Sequence, residues 1–172
     1  MILDDAVIGP ADSADLGRIA EIFAHYVTYS VVTFETVPPT VADWQARLDG
    51  LAELGLPFLV ARTGGEVAGY GYVSAWRPKP AYRHTVEDTV YLAPGATGRG
   101  LGRGLLAELL ARAGQAGARQ MVAVIADAGA DSEASVALHR AFGFAHVGRL
   151  TGVGRKHGRW IDTVLMQRGL TD

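Results

Sequence analysis

The sequence contains no cysteine among its 172 residues. A thiolate nucleophile, a disulfide framework and a cysteine-ligated zinc or iron–sulfur site are therefore excluded. The five histidines show no paired spacing of the H-x-x-x-H kind, which a histidine metal site on a helix would need. We therefore expect no metal.

The sequence also lacks an excess of positive charge and a long apolar run. Its net charge is −2, so no overall positive field draws it to nucleic acid or to an anionic membrane. No apolar segment approaches the roughly 20 residues of a membrane span. The first ten residues carry two acids where a secretion signal carries basic residues. We expect a cytoplasmic protein without a nucleic-acid or membrane partner.

Hydrophobic residues make up 49% of the chain and charged residues 20%, a composition typical of a folded globular protein. The length suits one domain over residues 1–172, because it allows one core and is too short for two domains of ordinary size. No linker, repeat or low-complexity tract interrupts it.

Periodicity along the chain predicts the order β-α-α-β-β-β-α-β-α-β-β. Thr40 and Asp43 form a capping-box pattern at the start of the second helix. Gly64-Gly65 is typical of a tight hairpin turn, and Gly143 predicts the end of the last helix. The predicted fold is α/β, of the α+β type: a mixed, mostly antiparallel twisted sheet of about seven strands, flanked by about four helices. Two predicted bounds are a β-rich run over Tyr82–Leu92 and a last helix over Ser135–Phe142.

A cluster of glycines follows the strand that ends at Leu92 and opens the next helix. Glycine lets the backbone curl and lets a ligand approach closely. The first turn of a helix presents unpaired N–H groups and partial positive charge, and Arg99 and Arg103 add full charges. Together these features predict an anion site suited to a pyrophosphate.

Other interpretations of the cluster are weaker. An ordinary turn would not need so many glycines, since each costs about 0.5–1 kcal/mol in a helix. A Rossmann fold would need a second βαβ half, and only the 45 residues after Asp127 (172 − 127) remain for it. A Walker phosphate loop is absent, because no Gly-Lys-Ser/Thr follows the glycines.

The segment Thr97-Gly-Arg-Gly-Leu-Gly102 resembles the coenzyme A signature Arg/Gln-x-x-Gly-x-Gly/Ala of the GNAT superfamily of N-acetyltransferases. Thr97 departs from the usual first residue of that signature. Further strings in the same order resemble the phosphinothricin and methionine sulfoximine acetyltransferase branch. They lie at residues 33–39, 81–92, 134–144 and 156–162.

The resemblance implies a GNAT-like domain that transfers acetyl from acetyl-CoA to the amine of a small amino-acid-like acceptor, such as phosphinothricin, methionine sulfoximine or methionine sulfone. Direct attack by the amine fits a chain without cysteine. Glu87 is the candidate general base, because a partly desolvated carboxylate can reach a suitable pKa. Asp88, on the opposite face of the strand, is its expected control.

The resemblance also implies the binding residues. The expected cofactor contacts are Val90, Tyr91, Leu92, Gly98, Arg99, Gly100, Leu101, Gly102, Arg103 and Ser132. Val90 to Leu92 would pair with the pantetheine arm, and Ser132 stands where the branch has asparagine. The expected acceptor contacts are Phe34, Glu35, Tyr82 and Arg83, with Arg77 and Lys156 as further cations. A homodimer is expected by analogy.

Some alternatives stay open. His139, Tyr91 and Tyr72 are all candidates for the acid that protonates the leaving thiolate. An acetyltransferase for a polyamine or a protein N-terminus is a second possible function. A non-catalytic acetyl-CoA-binding sensor is a third, since it would keep the glycine cluster and need no base.

Overall fold

The computed structural model describes residues 6–170, with the backbone alone for Asp131, and shows seven strands and four helices there in the predicted order. The strands are β1 Val7–Pro10, β2 Phe58–Thr63, β3 Glu66–Ala75, β4 Thr85–Leu92, β5 Gln120–Ala126, β6 Ala145–Lys156 and β7 Arg159–Gly169. The helices are α1 Leu16–Tyr29, α2 Val41–Glu53, α3 Leu101–Gln115 and α4 Ala130–Ala141.

The strands form one sheet in the order β1-β2-β3-β4-β5-β7-β6. Every neighbouring pair is antiparallel except β4 and β5, which run parallel. A parallel pair needs a crossover connection, and α3 supplies it. The predicted mixed, mostly antiparallel sheet with four helices is confirmed.

The helices cover the two faces of β4 in pairs. On one face, the ring of Phe23 in α1 lies 5.1 Å from that of Tyr91, and Trp44 in α2 lies 5.4 Å from Tyr70. On the other face, α3 packs across β3 and β4, and His139 of α4 reaches Asp88. We call these the α1–α2 face and the α3–α4 face.

Local signals placed several boundaries correctly. The hydroxyl of Thr40 accepts from the N–H of Asp43, whose carboxylate accepts in return from the N–H of Thr40. This reciprocal pair satisfies two free donors at the start of α2. Gly143 follows α4 with φ 80°, the left-handed conformation that ends a helix.

Two predicted bounds were wrong. The run predicted from Tyr82 becomes a strand only at Thr85, because Pro80 begins a short 3₁₀ turn over Pro80–Tyr82. The helix predicted from Ser135 begins at Ala130, where polar residues hide the helical pattern. Among the described helices, none has both the length and the apolar character that crossing a bilayer requires.

Candidate active site

Strands β4 and β5 separate along their length. They pair only from Thr85 with Gln120 to Glu87 with Val122, although β4 continues to Leu92 and β5 to Ala126. Beyond Glu87 the edge of β4 that faces β5 therefore has no strand partner. A gap of this kind can accept an extended ligand as an added strand.

The backbone of Leu92 faces this gap. The N–H of Ala93 donates to the carbonyl of Ala68 in β3 at 2.8 Å, so that amide points toward β3. Because successive residues of a strand point to opposite edges, the N–H and C=O of Leu92 point toward β5. The carbonyl of Leu92 accepts from the Tyr26 hydroxyl at 2.6 Å. The N–H of Leu92 is thus directed into the gap.

The glycine loop, residues 97–103, lies at the far end of the gap. Gly98 and Gly100 have φ of 75° and 80°, which only glycine adopts readily, and Gly100 caps α3. The first bond of the helix runs from the N–H of Gly104 to the carbonyl of Gly100 at 3.0 Å. The preceding amides of the first turn have no partner within the helix and form an anion site.

The gap widens into a cleft of about 670 Å³. Its walls come from both faces of β4, from the glycine loop, and from the loop between α1 and α2. The volume suits a site for a small molecule or cofactor.

Glu87 lies on the α1–α2 face where β4 and β5 begin to separate. Its side chain is half-buried, and within residues 6–170 its carboxylate has no hydrogen bond or ion pair. Burial raises the pKa of Glu87, the charge of Asp88 raises it further, and Arg77 opposes both. This carboxylate is accessible from the cleft and is a better proton acceptor than an ordinary glutamate.

Asp88 points to the opposite face, as alternation predicts, but it is not the neutral control that the sequence suggested. It is buried, and one carboxylate oxygen lies 2.9 Å from Nε2 of His139. The other oxygen has no partner among the described residues. Replacing Asp88 would therefore break a buried contact.

His139 is held on both ring nitrogens. Its Nδ1 donates to the carbonyl of Ser135 at 2.7 Å, while Nε2 meets Asp88. Burial lowers the pKa of His139, but the hydrogen bond and charge of Asp88, with the bond to Ser135, outweigh it and raise the pKa overall. The raised pKa favours the charged imidazolium beside the carboxyl group of Asp88, and both residues also form part of the wall of the cleft on the α3–α4 face.

The two tyrosines that the sequence offered as acids are also buried. Burial raises the pKa of Tyr91 and of Tyr72 above the ordinary value for a phenol. The hydroxyl of Tyr72 accepts from Nη1 of Arg47 at 2.6 Å. Both side chains line the cleft. The described residues form no cluster of three or more His, Asp or Glu side chains that could hold a metal ion.

Comparison with known proteins identifies this arrangement. The model of the Acetyltransferase (GNAT) family matches residues 19–144, most of the chain. The chain belongs to this family. Its separated β4 and β5 and its glycine loop are thus features of a GNAT acetyltransferase.

The sequence similarity to known proteins extends over nearly the whole chain. A phosphinothricin N-acetyltransferase from Alcaligenes faecalis is 48% identical over 91% of this chain and 78% of its own length. An L-methionine sulfoximine/L-methionine sulfone acetyltransferase from Pseudomonas paraeruginosa is 40% identical over 96% of this chain and 95% of its own length. A crystal structure of a phosphinothricin acetyltransferase from Sinorhizobium meliloti in complex with acetyl-CoA has a TM-score of 0.90 and 44% identity, covering 96% of this chain and 88% of that one.

Most of the predicted cofactor residues of this GNAT chain line the cleft: Val90, Tyr91, Leu92, Gly98, Gly100, Gly102, Arg103 and Ser132. Two do not. Leu101 is buried in the core, so only its backbone N–H could serve a phosphate. Arg99 is exposed and lies outside the lining of the cleft. The guanidinium of Arg103 lies 5.1 Å from the ring of Phe142, the residue that follows α4.

Ser132 is already engaged near the start of α4. Its hydroxyl donates to the carbonyl of Gly129 at 2.7 Å and accepts from the N–H of Ala128 at 3.1 Å. The hydroxyl therefore supports the turn into the helix, and its capacity for a cofactor is one remaining lone pair. Its role toward the cofactor stays a prediction.

Two of the four residues predicted to contact the acceptor line the cleft, and two do not. Phe34 and Glu35 line the cleft from the loop between α1 and α2. Tyr82, the last residue of the 3₁₀ turn, and Arg83, which follows it, are exposed and do not line the cleft of this single chain. The 3₁₀ turn before β4 places both side chains outside the cleft.

Arg47 is a cation at the cleft that the sequence analysis missed. Its guanidinium lies 4.9 Å from the ring of Trp44 and 5.3 Å from that of Tyr72, and it lines the cleft on the α1–α2 face. The available signal was its spacing. Arg47 stands one helical turn after the buried Trp44, which places a cation on the inward face of α2.

Proposed function

We propose that this protein binds acetyl-CoA and transfers its acetyl group to the amine of a small amino-acid-like acceptor, of the phosphinothricin, methionine sulfoximine or methionine sulfone type. The main observation that supports this proposal is the gap beside β4. It joins a free backbone amide, an anion-binding loop and an unpaired carboxylate in one cleft. The names of the similar proteins support the same reaction and acceptor class.

The cofactor would lie along the gap. First-turn amides of α3 and the glycine loop would bind the pyrophosphate, with Arg103 adding charge. The pantetheine arm would pair with the free edge of β4, and the N–H of Leu92 would donate to the thioester carbonyl. A donor fixed in this position stabilises the oxygen as it gains negative charge during attack.

Glu87 would act as the general base, directly or through a water molecule. The amine nitrogen attacks the thioester carbonyl carbon, the carbon–sulfur bond breaks, and the amine proton passes to Glu87. The departing sulfur takes up a proton, so the products are the N-acetylated acceptor and coenzyme A. The open cleft on this face gives the acceptor a route to Glu87.

We assign Arg47 as the cation that holds the acceptor carboxylate. An arginine fork suits a carboxylate geometrically, and stacking on Trp44 and Tyr72 holds this one in place. The same cation disfavours a polyamine in this part of the cleft. Tyr82 and Arg83 stay predictions.

A two-fold homodimer also stays a prediction. It is supported by exposed apolar side chains on the last two strands: Val147, Leu150, Val153 and Trp160. Such side chains, grouped on one hairpin, are typical of an interaction surface. The predicted cytoplasmic location is likewise retained as a prediction.

The decisive experiment is a thiol-release assay with acetyl-CoA and a panel of acceptors. The panel contains phosphinothricin, methionine sulfoximine, methionine sulfone, spermidine and a peptide with a free N-terminal alanine. Turnover of the first three supports the proposal. If only spermidine or the peptide is acetylated, the proposed acceptor class is wrong and the protein acetylates a different amine.

Calorimetry with coenzyme A separates the remaining alternatives. Binding without turnover of any amine would indicate a sensor. Absence of binding would overturn the assignment of the gap as a cofactor site.

A further inference from the structure

The α1–α2 loop, residues 30–40, has no helix or strand of its own, although Phe34 and Glu35 line the acceptor part of the cleft. A loop without regular structure needs tertiary contacts to hold its side chains in one position. The contacts that hold this loop come largely from the β6–β7 hairpin, more than a hundred residues away.

The first contact is between Phe34 and Gly154 of β6. A Cβ built at Gly154 would overlap the ring of Phe34, with Cδ2 only 2.8 Å away. Real Cβ atoms do not approach so closely, so the ring occupies space that exists only because residue 154 has no side chain. The backbone of Gly154 is not in the left-handed region, so conformation does not require glycine there.

The second contact is made by Lys156, two residues further along β6. Its Nζ is buried and donates to the carbonyl of Thr33 at 2.9 Å, with the carbonyl of Tyr26 at 3.4 Å. These bonds tie the hairpin to the loop on one side and to the last turn of α1 on the other. Val31 also belongs to a small buried apolar cluster with Ile161 of β7 and Ala126 of β5.

The hairpin itself is shaped to reach the loop. The pairing of β6 with β7 shifts register between Leu150 and Gly154. The carboxylate of Asp162 holds this bulge, accepting from the N–H of Gly152 at 2.7 Å and from Nε of Arg149 at 2.8 Å. A bulge bends a strand and redirects the residues that follow it, and here those residues are the ones that contact the loop.

We propose that Gly154 is a specificity-determining residue, because its missing side chain sets the position of Phe34 and thereby the space for the acceptor beside Glu87. The inference rests on the proposed function. A methyl group at position 154 would displace the ring from its seat toward the cleft. Acceptor binding would weaken, while the glycine loop and the cofactor gap would be untouched.

The test compares Gly154→Ala with Gly148→Ala in the full chain. Both glycines lie in β6 opposite β7, but a Cβ at Gly148 would meet only Leu165, at 4.0 Å, an ordinary contact. For phosphinothricin and methionine sulfone, kcat/KM should fall about tenfold in Gly154→Ala relative to Gly148→Ala, mostly through KM. The Kd for coenzyme A should stay within about twofold in both variants.

Two further measurements tie the effect to Phe34. Residues 30–40 should exchange amide hydrogens faster in Gly154→Ala than in Gly148→Ala. Adding Phe34→Leu to Gly154→Ala should recover part of the lost kcat/KM, because a smaller side chain yields to the new methyl group. Without that recovery, the effect does not pass through Phe34 and the inference is wrong.

Failure of the inference and failure of the proposed function give different results. Equal kcat/KM and equal exchange in the two glycine variants would overturn the role of Gly154 while leaving the acetyltransferase assignment intact. A wild-type chain that turns over no amino-acid-like acceptor would overturn the proposed function itself, and the specificity role with it.

Discussion

Two neighbouring carboxylates on β4 have opposite surroundings. Glu87 is half-buried on the α1–α2 face, opens to the cleft and has no hydrogen bond or ion pair among the described residues. Asp88, on the α3–α4 face, is buried and bonded to His139. Because consecutive residues of a strand point to opposite faces, Glu87 lies unpaired beside the cleft while its neighbour Asp88 is buried against His139.

The difference shows that the face a carboxylate occupies decides its role. An unpaired carboxylate beside a cleft can accept a proton from a ligand. A buried carboxylate paired with an imidazolium instead stabilises the fold, since removing either partner leaves the other charge uncompensated. Each face of β4 can be tested separately, because its contacts involve different helices.

The largest expected effect is on catalysis at the α1–α2 face. Glu87→Gln keeps the size of the side chain and removes the proposed base, so turnover should fall by about 10²-fold or more. The Kd for coenzyme A should be nearly unchanged, because no cofactor contact is lost. Steady-state kinetics and calorimetry measure both quantities. Equal turnover at neutral pH would remove Glu87 from the mechanism.

The next effect is on stability at the α3–α4 face. Asp88→Ala leaves Nε2 of His139 buried without its partner, so the free energy of unfolding should fall by about 3 kcal/mol. Glu87→Ala in the same strand is the matched control and should stay within about 0.5 kcal/mol of wild type. Urea denaturation distinguishes them. Similar losses in both variants would contradict the contrast between the faces.

The contact between Asp88 and His139 also predicts that the stability of the fold depends on pH. The folded pKa of His139 is raised, so its stabilising contribution is complete below the unfolded pKa of about 6.5 and is lost as pH rises through the folded value. The stability gap between wild type and Asp88→Ala should therefore narrow as the pH rises above about 6.5 and passes through the raised folded pKa of His139. A gap that widens over this range would show that the pair is not an imidazolium and a carboxylate.

A smaller effect concerns the glycine loop beyond the end of β4. Gly98→Ala forces a residue with a Cβ into φ 75°, at a strain of about 1–2 kcal/mol. Displacement of the loop should raise the Kd for coenzyme A about tenfold. Gly117→Ala imposes similar strain, at φ 92°, just past the opposite end of α3. It should leave the Kd for coenzyme A unchanged, and an equal loss in both variants would mean that strain alone is responsible.

The smallest effect is a shift in the pH profile. A general base must be deprotonated, so kcat/KM should fall as pH decreases through the raised pKa of Glu87, above the ordinary glutamate value of about 4.3. Arg77 opposes the shift, so Arg77→Gln should move this acid limb to higher pH. A limb at the same pH in both proteins would show that Arg77 does not influence the base.

Much of the fold could be predicted because its signals are local. The capping box at Thr40 and the helix end at Gly143 lie within a few residues of the boundaries they determine. The start of α4 at Ala130 was missed because its first turn carries no large apolar residue that helical periodicity could detect. Periodicity detects apolar residues on a buried face and is silent where a helical turn is polar, even if one of its polar residues, here Ser132, is buried.

The candidate site was less predictable because its contacts join distant parts of the chain. The glycine loop and Glu87 were visible as motifs. The environments of Asp88 and Lys156 were not, since each is set by a partner at least fifty residues away. Arg47 was overlooked because a lone arginine on a helix is usually a solvated residue, and only the packing of α2 brings it to the cleft.

The sequence alone determined the order of strands and helices, the glycine loop that opens α3 and the absence of any thiol chemistry, because these follow from composition and short-range geometry. Tertiary structure alone decided that Asp88 is buried against His139, that Arg47 reaches the cleft and which distant residues hold the α1–α2 loop in place. Those features depend on which distant elements pack together, and residue spacing along a chain does not encode that directly.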